Sequence, residues 1–190
     1  MIYFTADTHF GHANIIKYCT RPFLDAGEMD RMMVTNWNET VQPSDTVYHL
    51  GDFAFASPDR AKHILSNLSG HKVLILGNHD RSEGKMAEWG FEKVYKSLQF
   101  ELQGNIMVNL SHYPYRGTDD PQHRTKFDHK NLKDDGKHLL CGHVHDDWKT
   151  RPGQFKNHMI NVGMDQWGFK PVSEPQLLAY LQTLTLDNLK

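Results

Sequence analysis

Short apolar segments recur along the chain, and each one stops abruptly at polar residues. Each is only a few residues long, and several are rich in β-branched side chains, as is typical of buried strands. The predicted strands are Ile2–Ala6, Thr46–Leu50, Val73–Leu76, Asn105–Leu110, Leu139–Cys141 and Met159–Val162.

Helical spacing appears between some of these segments. Ser57 before Pro58 is typical of an N-cap followed by the first helical position, and Gly70 is a typical stop. Ser173 to Gln176 resembles a capping box that opens a C-terminal helix. Apolar positions at helical spacing in the first of these helices are Ala61, Ile64, Leu65 and Leu68. A further stripe predicts a core-facing helix and consists of Met29, Met32, Met33 and Trp37.

The alternation of strands with helices predicts an α/β protein. The segment from Gln99 to Leu110 has Gly104 and Asn105 in its middle and predicts a hairpin, so part of the sheet should be antiparallel. No repeat or linker interrupts the chain, and residues 1–190 are therefore interpreted as a single domain. The polar segment Pro114–Lys137 predicts a long loop of the kind that is often functional.

The amino-acid composition, the net charge and the cysteine count indicate which class of protein this is. The chain has 38% hydrophobic and 23% charged residues, which fits a soluble globular protein. A net charge of −2, without a basic stripe, gives no support to a nucleic-acid partner and does not exclude one. Cys19 and Cys141 are too few for a disulfide framework, Ile2–Ala6 is too short for a signal peptide, and no apolar stretch would span a membrane. A cytoplasmic protein is therefore expected.

The predicted strands deliver Asp, Asn and His side chains at their carboxyl ends, which is where sites gather in α/β sheets. Carboxylate, imidazole and amide groups are ligands of divalent cations. The sequence therefore predicts a metal site at this edge. The residues at these ends are Asp7, His9 and His12, then Asp52, then Asn78, His79 and Asp80, then His112, and finally His143 and His145.

The spacing of these residues supports the metal-site interpretation. Asp7 and His9 are two apart, so both side chains would face one way on an extended segment, and His143 and His145 share that spacing. A lone carboxylate such as Asp52 can bridge two ions with its two oxygens. Glycines beside the ligands would let the backbone approach without a Cβ clash, and these are Gly51, Gly77 and Gly142.

Taken together, these blocks resemble the calcineurin-like metallophosphoesterase superfamily. All five blocks occur in the order of that family, and the segment Asn161–Gly163 is similar to its closing strand. The longer opening block, residues 7–12 with Arg21–Phe23 after it, is similar to a small bacterial and phage branch. The blocks are Asp7-x-His9, Gly51-Asp52, Gly77-Asn78-His79-Asp80, His112 and Gly142-His143-x-His145.

The resemblance implies a fold and a ligand set. The fold is a four-layer αββα sandwich, in which two mixed sheets pack face to face with helices outside. Two divalent metal ions are implied, with Mn²⁺ as the expected working ion and Fe, Zn or Ni as alternatives. One ion would be held by Asp7, His9, Asp52 and His145, and the other by Asp52, Asn78, His112 and His143.

The resemblance also implies a phosphoric ester hydrolase in which a metal-bridging hydroxide attacks phosphorus in line. His79 would face the substrate and protonate the leaving oxygen, oriented by Asp80. The substrate contacts considered are His12, Arg21, Arg116 and Arg124, since a guanidinium matches phosphate geometry.

Three functions stay open at this point. A phosphodiesterase on a small phosphorylated or nucleotide-like substrate is favoured, because the chain is small and shows no separate cap domain. A phosphomonoesterase could use the same metal centre. A non-catalytic metal-binding scaffold is the remote alternative, since such a protein would be expected to lose ligands or the catalytic histidine. The sequence does not indicate the oligomeric state.

Overall fold

The computed structural model describes residues 1–117 and 128–187. The strands are β1 (Ile2–Thr5), β2 (Thr46–His49), β3 (His71–Ile75), β4 (Lys93–Tyr95), β5 (Ser97–Leu102), β6 (Ile106–Ser111), β7 (His138–Cys141), β8 (Thr150–Pro152), β9 (His158–Asn161) and β10 (Val172–Ser173). The α-helices are α1 (Ala13–Tyr18), α2 (Ala26–Thr40), α3 (Pro58–Asn67), α4 (Glu83–Trp89) and α5 (Glu174–Asp187). Short 3₁₀ turns occupy Asp128–Lys130 and Met164–Gln166.

The strands form two five-stranded sheets, and both are mixed. The first has the order β10-β1-β2-β3-β4, with β1 to β4 parallel and β10 antiparallel. The second has the order β5-β6-β7-β9-β8, with parallel pairs in its centre and an antiparallel pair at each edge. The hairpin predicted around Gly104 is β5–β6, in which Leu102 pairs with Ile106.

One hydrophobic core lies between the two sheets. Phe4 and Ile75 of the first sheet share it with Val108 and Leu140 of the second. The ring of Phe4 meets that of Phe100 edge-on, with centroids 5.7 Å apart. The two sheets therefore pack face to face, as the resemblance implies.

Helices cover the first sheet, and their buried faces build a second core. The side chains of Met29, Met33 and Trp37 are fully buried there, at the spacing of one helical face. Met32 was predicted to share that stripe, but its residue is 45% exposed. It lies off the face because it is one position before Met33, about 100° around the helix.

Helix α5 and loop side chains complete the packing around the two sheets. Helix α5 sends Leu177 into the core between the sheets, and its Tyr180 hydroxyl lies 2.8 Å from Thr150 Oγ1 of β8. Within the described ranges, the outer face of the second sheet is covered by loop side chains such as Tyr115 and Trp148. The two mixed sheets with helices are thus confirmed, and none of the helices within residues 1–117 and 128–187 has the length and apolarity that crossing a bilayer requires.

Two predicted helix starts are also confirmed. Ser57 precedes α3 and accepts a hydrogen bond from the backbone of Arg60, although the helix ends at Asn67, before Gly70. Ser173 and Gln176 form a reciprocal capping box at α5: Ser173 N donates to Gln176 Oε1 over 3.0 Å, and Gln176 N donates to Ser173 Oγ over 3.4 Å.

The capping box yields a stability prediction. Ser173→Ala removes the side-chain acceptor at the start of α5 and should lower the free energy of unfolding by about 1 kcal/mol. Urea denaturation at constant m-value measures the change. Ser66→Ala, an exposed serine near the end of α3, is the control and should stay within about 0.5 kcal/mol of the parent. Equal effects of the two substitutions would contradict a capping role.

Candidate metal centre

Loops from both sheets bring four metal-binding side chains together. Asp7 and His9 follow β1, Asp52 follows β2, and His145 follows β7 of the second sheet. Each offers one ligand atom, and these atoms all lie within 4.8 Å of one another. This group matches the set that the resemblance assigns to one ion.

Some polar atoms in this group have no hydrogen-bond partner among the described residues. Asp7 Oδ1 and both ring nitrogens of His9 are buried in this way. His9 Nε2 lies 4.0 Å from Asp7 Oδ1 and 3.6 Å from Asp52 Oδ2. Leaving such atoms unsatisfied costs free energy, and a divalent cation would satisfy them. The residues therefore fit a metal ion with mixed nitrogen and oxygen ligands.

Neighbouring groups orient these ligands. Asp7 Oδ2 accepts a hydrogen bond of 2.9 Å from the backbone of His143, which leaves Oδ1 for a metal. His145 Nδ1 lies 3.1 Å from Cys19 Sγ, and its Nε2 faces Asp7 Oδ1 at 3.7 Å. Burial raises the pKa of the Cys19 thiol to about 12, so the sulfur is neutral and can accept the Nδ1 hydrogen. That tautomer leaves Nε2 unprotonated for a metal.

A second group of acceptors forms around His112. Its Nδ1 donates to the carbonyl oxygen of Leu50 over 2.7 Å, so the neutral ring carries no hydrogen on Nε2. That Nε2 faces Asn78 Oδ1 at 3.1 Å and Asp52 Oδ2 at 3.5 Å. The ring of His143 lies close by, with its centroid 5.1 Å from that of His112. Acceptors that face one another in this way are stabilised by a cation between them.

Asp52 lies between the two groups. Its Oδ2 is 3.6 Å from His9 Nε2 on one side and 3.5 Å from His112 Nε2 on the other. Its Oδ1 accepts a hydrogen bond of 2.9 Å from the backbone of His79, which fixes the carboxylate. Asp52 is thus shared by the two groups of acceptors.

The backbone is strained at most of the predicted metal ligands. Left-handed backbone angles occur at five of the seven predicted metal ligands, and such angles are costly for residues with a Cβ. Strand β1 ends at Thr5 and β7 at Cys141, so the extended conformation predicted for the two paired spacings is wrong. The values of φ are 55° at Asp7, 48° at His9, 58° at Asp52, 72° at His143 and 44° at His145.

Glycines allow the close approach that the sequence predicts. A Cβ on Gly77 would lie 2.2 Å from Asp52 Oδ1, and one on Gly142 would lie 2.5 Å from Asp7 Oδ2. A Cβ on Gly51 would lie 2.6 Å from His112 Nδ1. Each glycine therefore leaves room for a ligand side chain.

Asp80 differs from its predicted role. Its Oδ2 accepts hydrogen bonds from the backbone of Asp52 and Gly77, and its Oδ1 accepts one from Phe53, all between 2.8 and 3.0 Å. Burial, and then the charge of Asp52, raises the pKa of this carboxyl. Both oxygens are thus engaged with the backbone, and Asp80 holds the loops after β2 and β3 together instead of bonding the His79 ring.

Arg21 was predicted as a substrate contact, and the structure contradicts this. Its guanidinium is buried and makes two hydrogen bonds of 2.8 Å with the carboxylate of Asp165. The same group donates to the carbonyl oxygens of Asp7 over 2.7 Å and Thr8 over 3.1 Å. Arg21 therefore fixes the turn that carries the first two ligands and has no free face for a phosphate.

The other predicted contacts stay predictions. His12 is partly exposed and stacks on Phe55, with ring centroids 4.5 Å apart, and its pKa is lowered by burial and then by His79. Arg116 is exposed beyond β6, and its backbone donates to the Leu132 carbonyl. Arg124 lies outside the described residues.

Several residues of the site carry no sequence motif. His49 is buried behind the loop of β1, with Nε2 2.9 Å from Thr8 Oγ1, and burial lowers its pKa to about 3. Thr8 donates in turn to the carbonyl of Phe53 over 2.7 Å, so the His49 Nε2 hydrogen must point at Thr8. No signal in the sequence identified Thr8, Cys19 or Asp165 as part of the site.

Comparisons with known proteins agree with this geometry. A model of the calcineurin-like phosphoesterase superfamily domain matches residues 1–177. An uncharacterized protein of Methanocaldococcus jannaschii is 48% identical over 90% of this chain and 86% of its own length. The gene 66 protein of Mycobacterium phage L5 is 34% identical over 87% of each. A solved protein of unknown function from Aquifex aeolicus superposes with a TM-score of 0.72 at 30% identity, covering 95% of this chain and 98% of that one. The chain thus belongs to the calcineurin-like phosphoesterase superfamily, and it is a metal-dependent phosphoesterase.

Proposed function

We propose that the chain hydrolyses a phosphodiester of a small, nucleotide-like substrate at a centre that holds two divalent ions. The observation that carries the two-ion centre is the position of Asp52 Oδ2, which is almost equidistant from His9 Nε2 at 3.6 Å and His112 Nε2 at 3.5 Å. A carboxylate oxygen with imidazole acceptors on both sides suits a bridge between two metals.

Each of the two groups of acceptors would hold one ion. When bound, two divalent ions supply an activated water and offset the charge that spreads over the phosphoryl oxygens. Asp7, His9 and His145 would hold one ion with Asp52, and the other would be held by Asp52 with Asn78, His112 and His143. This completeness argues against the scaffold alternative.

The ligand chemistry is compatible with Mn²⁺ as the working ion, and equally with Fe, Zn or Ni. No thiolate belongs to either set, and carboxylate, amide and imidazole groups suit a hard or borderline ion such as Mn²⁺. Cys19 contacts the far nitrogen of His145, and burial keeps its pKa high. Cys19 and Cys141 are both free thiols, which suits a reducing compartment such as the cytoplasm.

His79 would act on the leaving group. Its side chain is 41% exposed, with Nε2 4.0 Å from Asp52 Oδ2, so the ring stands at the rim of the centre. The ring packs edge-on against Phe55, with centroids 5.7 Å apart. From this rim, His79 would hold a proton at Nε2 and donate it to the departing oxygen.

The space around His79 favours a diester over a monoester. A cavity of about 530 Å³ is lined by Phe55, His79, Arg81 and Trp89. A second cavity, of about 510 Å³, is lined by Gly77, Asp80 and Tyr113, and Arg81 lines it too. A diester carries an organic group on two sides of phosphorus, and each group has room here, with the leaving group beside His79.

The functional test compares two activated esters. Bis-p-nitrophenyl phosphate and p-nitrophenyl phosphate are incubated with the Mn²⁺-loaded chain, and release of p-nitrophenolate is followed. A higher kcat/KM for the diester is expected. Preference for the monoester would make the phosphomonoesterase the better assignment, and absence of turnover on both with metal bound would revive the scaffold.

The role of His79 leads to a kinetic prediction. His79→Ala should keep the metal content of the parent and lower kcat by about 10²–10⁴-fold, as expected for loss of a general acid. Metal analysis and diester hydrolysis are measured together. His63→Ala removes an exposed histidine from α3 and should leave both unchanged, whereas Asp52→Asn should lose metal. Normal turnover of His79→Ala would remove the proposed role.

The buried carboxylate of Asp7 leads to a prediction about metal removal. Burial, and then the charges of Asp52 and Asp165, raise the pKa of Asp7. The folded apoprotein therefore loses stability as the pH rises from the ordinary carboxyl pKa through this raised pKa, because the buried carboxyl must give up its proton. With EDTA at neutral pH, Asp7→Asn should therefore melt at a higher Tm than the parent. Mn²⁺ at 100 times its Kd should stabilise the parent by about 2.7 kcal/mol and the variant hardly at all.

Differential scanning calorimetry with EDTA or Mn²⁺ measures both effects. Glu101→Gln makes the same carboxylate-to-amide change at an exposed position of β5 and should behave as the parent does in either buffer. An equal Mn²⁺-induced shift in the parent and in Asp7→Asn would show that Asp7 is not a ligand.

A further inference from the structure

A basic cavity lies directly beside the proposed second ion. Gly77, Asp80 and Tyr113 line it, and its volume is about 510 Å³. The Tyr113 ring centroid lies 4.9 Å from that of His112 and 5.1 Å from that of His143. Since Tyr113 contacts the rings of two proposed ligands, a substrate whose phosphate sits at the metals can extend into this cavity.

The wall of this cavity carries several cationic groups. These are Arg81, Lys96 and Lys130; His129 also lines the cavity, and all four residues are exposed. Arg81 and Lys96 form no ion pair with any other residue that the structure describes. Lys130 lies over the Tyr113 ring, with Nζ 5.7 Å from the centroid.

The described lining of the cavity offers Arg81 and Lys96 little compensating charge. Asp80 is the one acidic side chain among its described lining residues, and its oxygens already accept backbone hydrogen bonds from Asp52, Phe53 and Gly77. A pocket lined by one sign of charge concentrates ligands of the opposite sign. The scissile phosphodiester alone would carry one negative charge and would sit at the metals, so it would not meet these side chains.

We propose that Arg81 and Lys96 bind a second phosphate group, carried on the part of the substrate that stays attached to the scissile phosphorus. The inference rests on the proposed phosphodiesterase and names its substrate class: a nucleotide diester with an additional terminal phosphate. The leaving group occupies the cavity beside Phe55 and His79, and the phosphorylated nucleoside occupies the basic cavity. Lysine and arginine contacts to a phosphate are charge-assisted and strong.

The test uses matched nucleotides that differ only in the second phosphate. Thymidine 3′,5′-bisphosphate and thymidine 5′-monophosphate are titrated calorimetrically into the Mn²⁺-loaded chain at low ionic strength. In parallel, KM is measured for the 5′-p-nitrophenyl esters of the same two nucleotides. The 3′-phosphate should improve both Kd and KM by about tenfold. Raising the salt concentration should reduce the advantage, because exposed charges are screened.

Substitutions of single lysines and arginines test which side chains bind the second phosphate. Lys96→Ala should reduce the tenfold advantage to less than about threefold, and Lys96→Arg should restore most of it. Lys93→Ala removes an exposed lysine three positions earlier on β4 and should keep the full advantage. Equal affinity of the two nucleotides for the parent, or an advantage that survives in the Arg81→Ala/Lys96→Ala double variant, would overturn the proposal.

The binding titration and the hydrolysis measurement together distinguish a failure of this proposal from a failure of the proposed function. Preferred binding of the bisphosphate without hydrolysis of either ester would support the basic cavity and contradict the phosphodiesterase. Hydrolysis of both esters with the same KM would support the phosphodiesterase and reject the second phosphate site.

Discussion

The burial of two carboxylates beside several imidazoles is the constraint on which the rest of the structure depends. Asp7 and Asp52 are almost fully excluded from solvent, and the guanidinium of Arg21 beside Asp7 is occupied by Asp165 and by backbone carbonyls. Charge buried without compensation is very costly. The strained turns, the glycines and the backbone bonds of Asp80 are all arrangements that keep these acceptors converging on a space suited to cations.

The centre also depends on how the two sheets pack. Asp7 and Asp52 extend from the first sheet, while His112 and His145 extend from the second. The distances between ligand atoms are therefore set by the core between the sheets, where Phe4 meets Phe100. Close packing transmits small changes of volume, so a substitution in that core would move one set of ligands against the other.

The sequence was sufficient to predict the mixed α/β fold and the residues that converge, because five of the six predicted strands are followed closely by ligand-type side chains. It could not supply the local geometry. Side-chain spacing does not distinguish a left-handed turn from an extended segment, and this is why the path through Asp7 and His9 was misjudged. Arg21 shows the same limit, because nothing in a sequence pairs it with Asp165, 144 positions away. Elements of two to seven residues, such as β10 and α4, are too short to show periodicity.

The order in which the ligands occur along the chain has a consequence for biosynthesis. Asp7 and His145 belong to one group of ligands, although 138 positions separate them. An ion bound there closes a very long loop, as a disulfide would, and restricts the unfolded chain accordingly. A growing polypeptide cannot complete this set until His145 has left the ribosome. This set of ligands is therefore completed late in synthesis, while β8, β9 and β10 still have to follow His145.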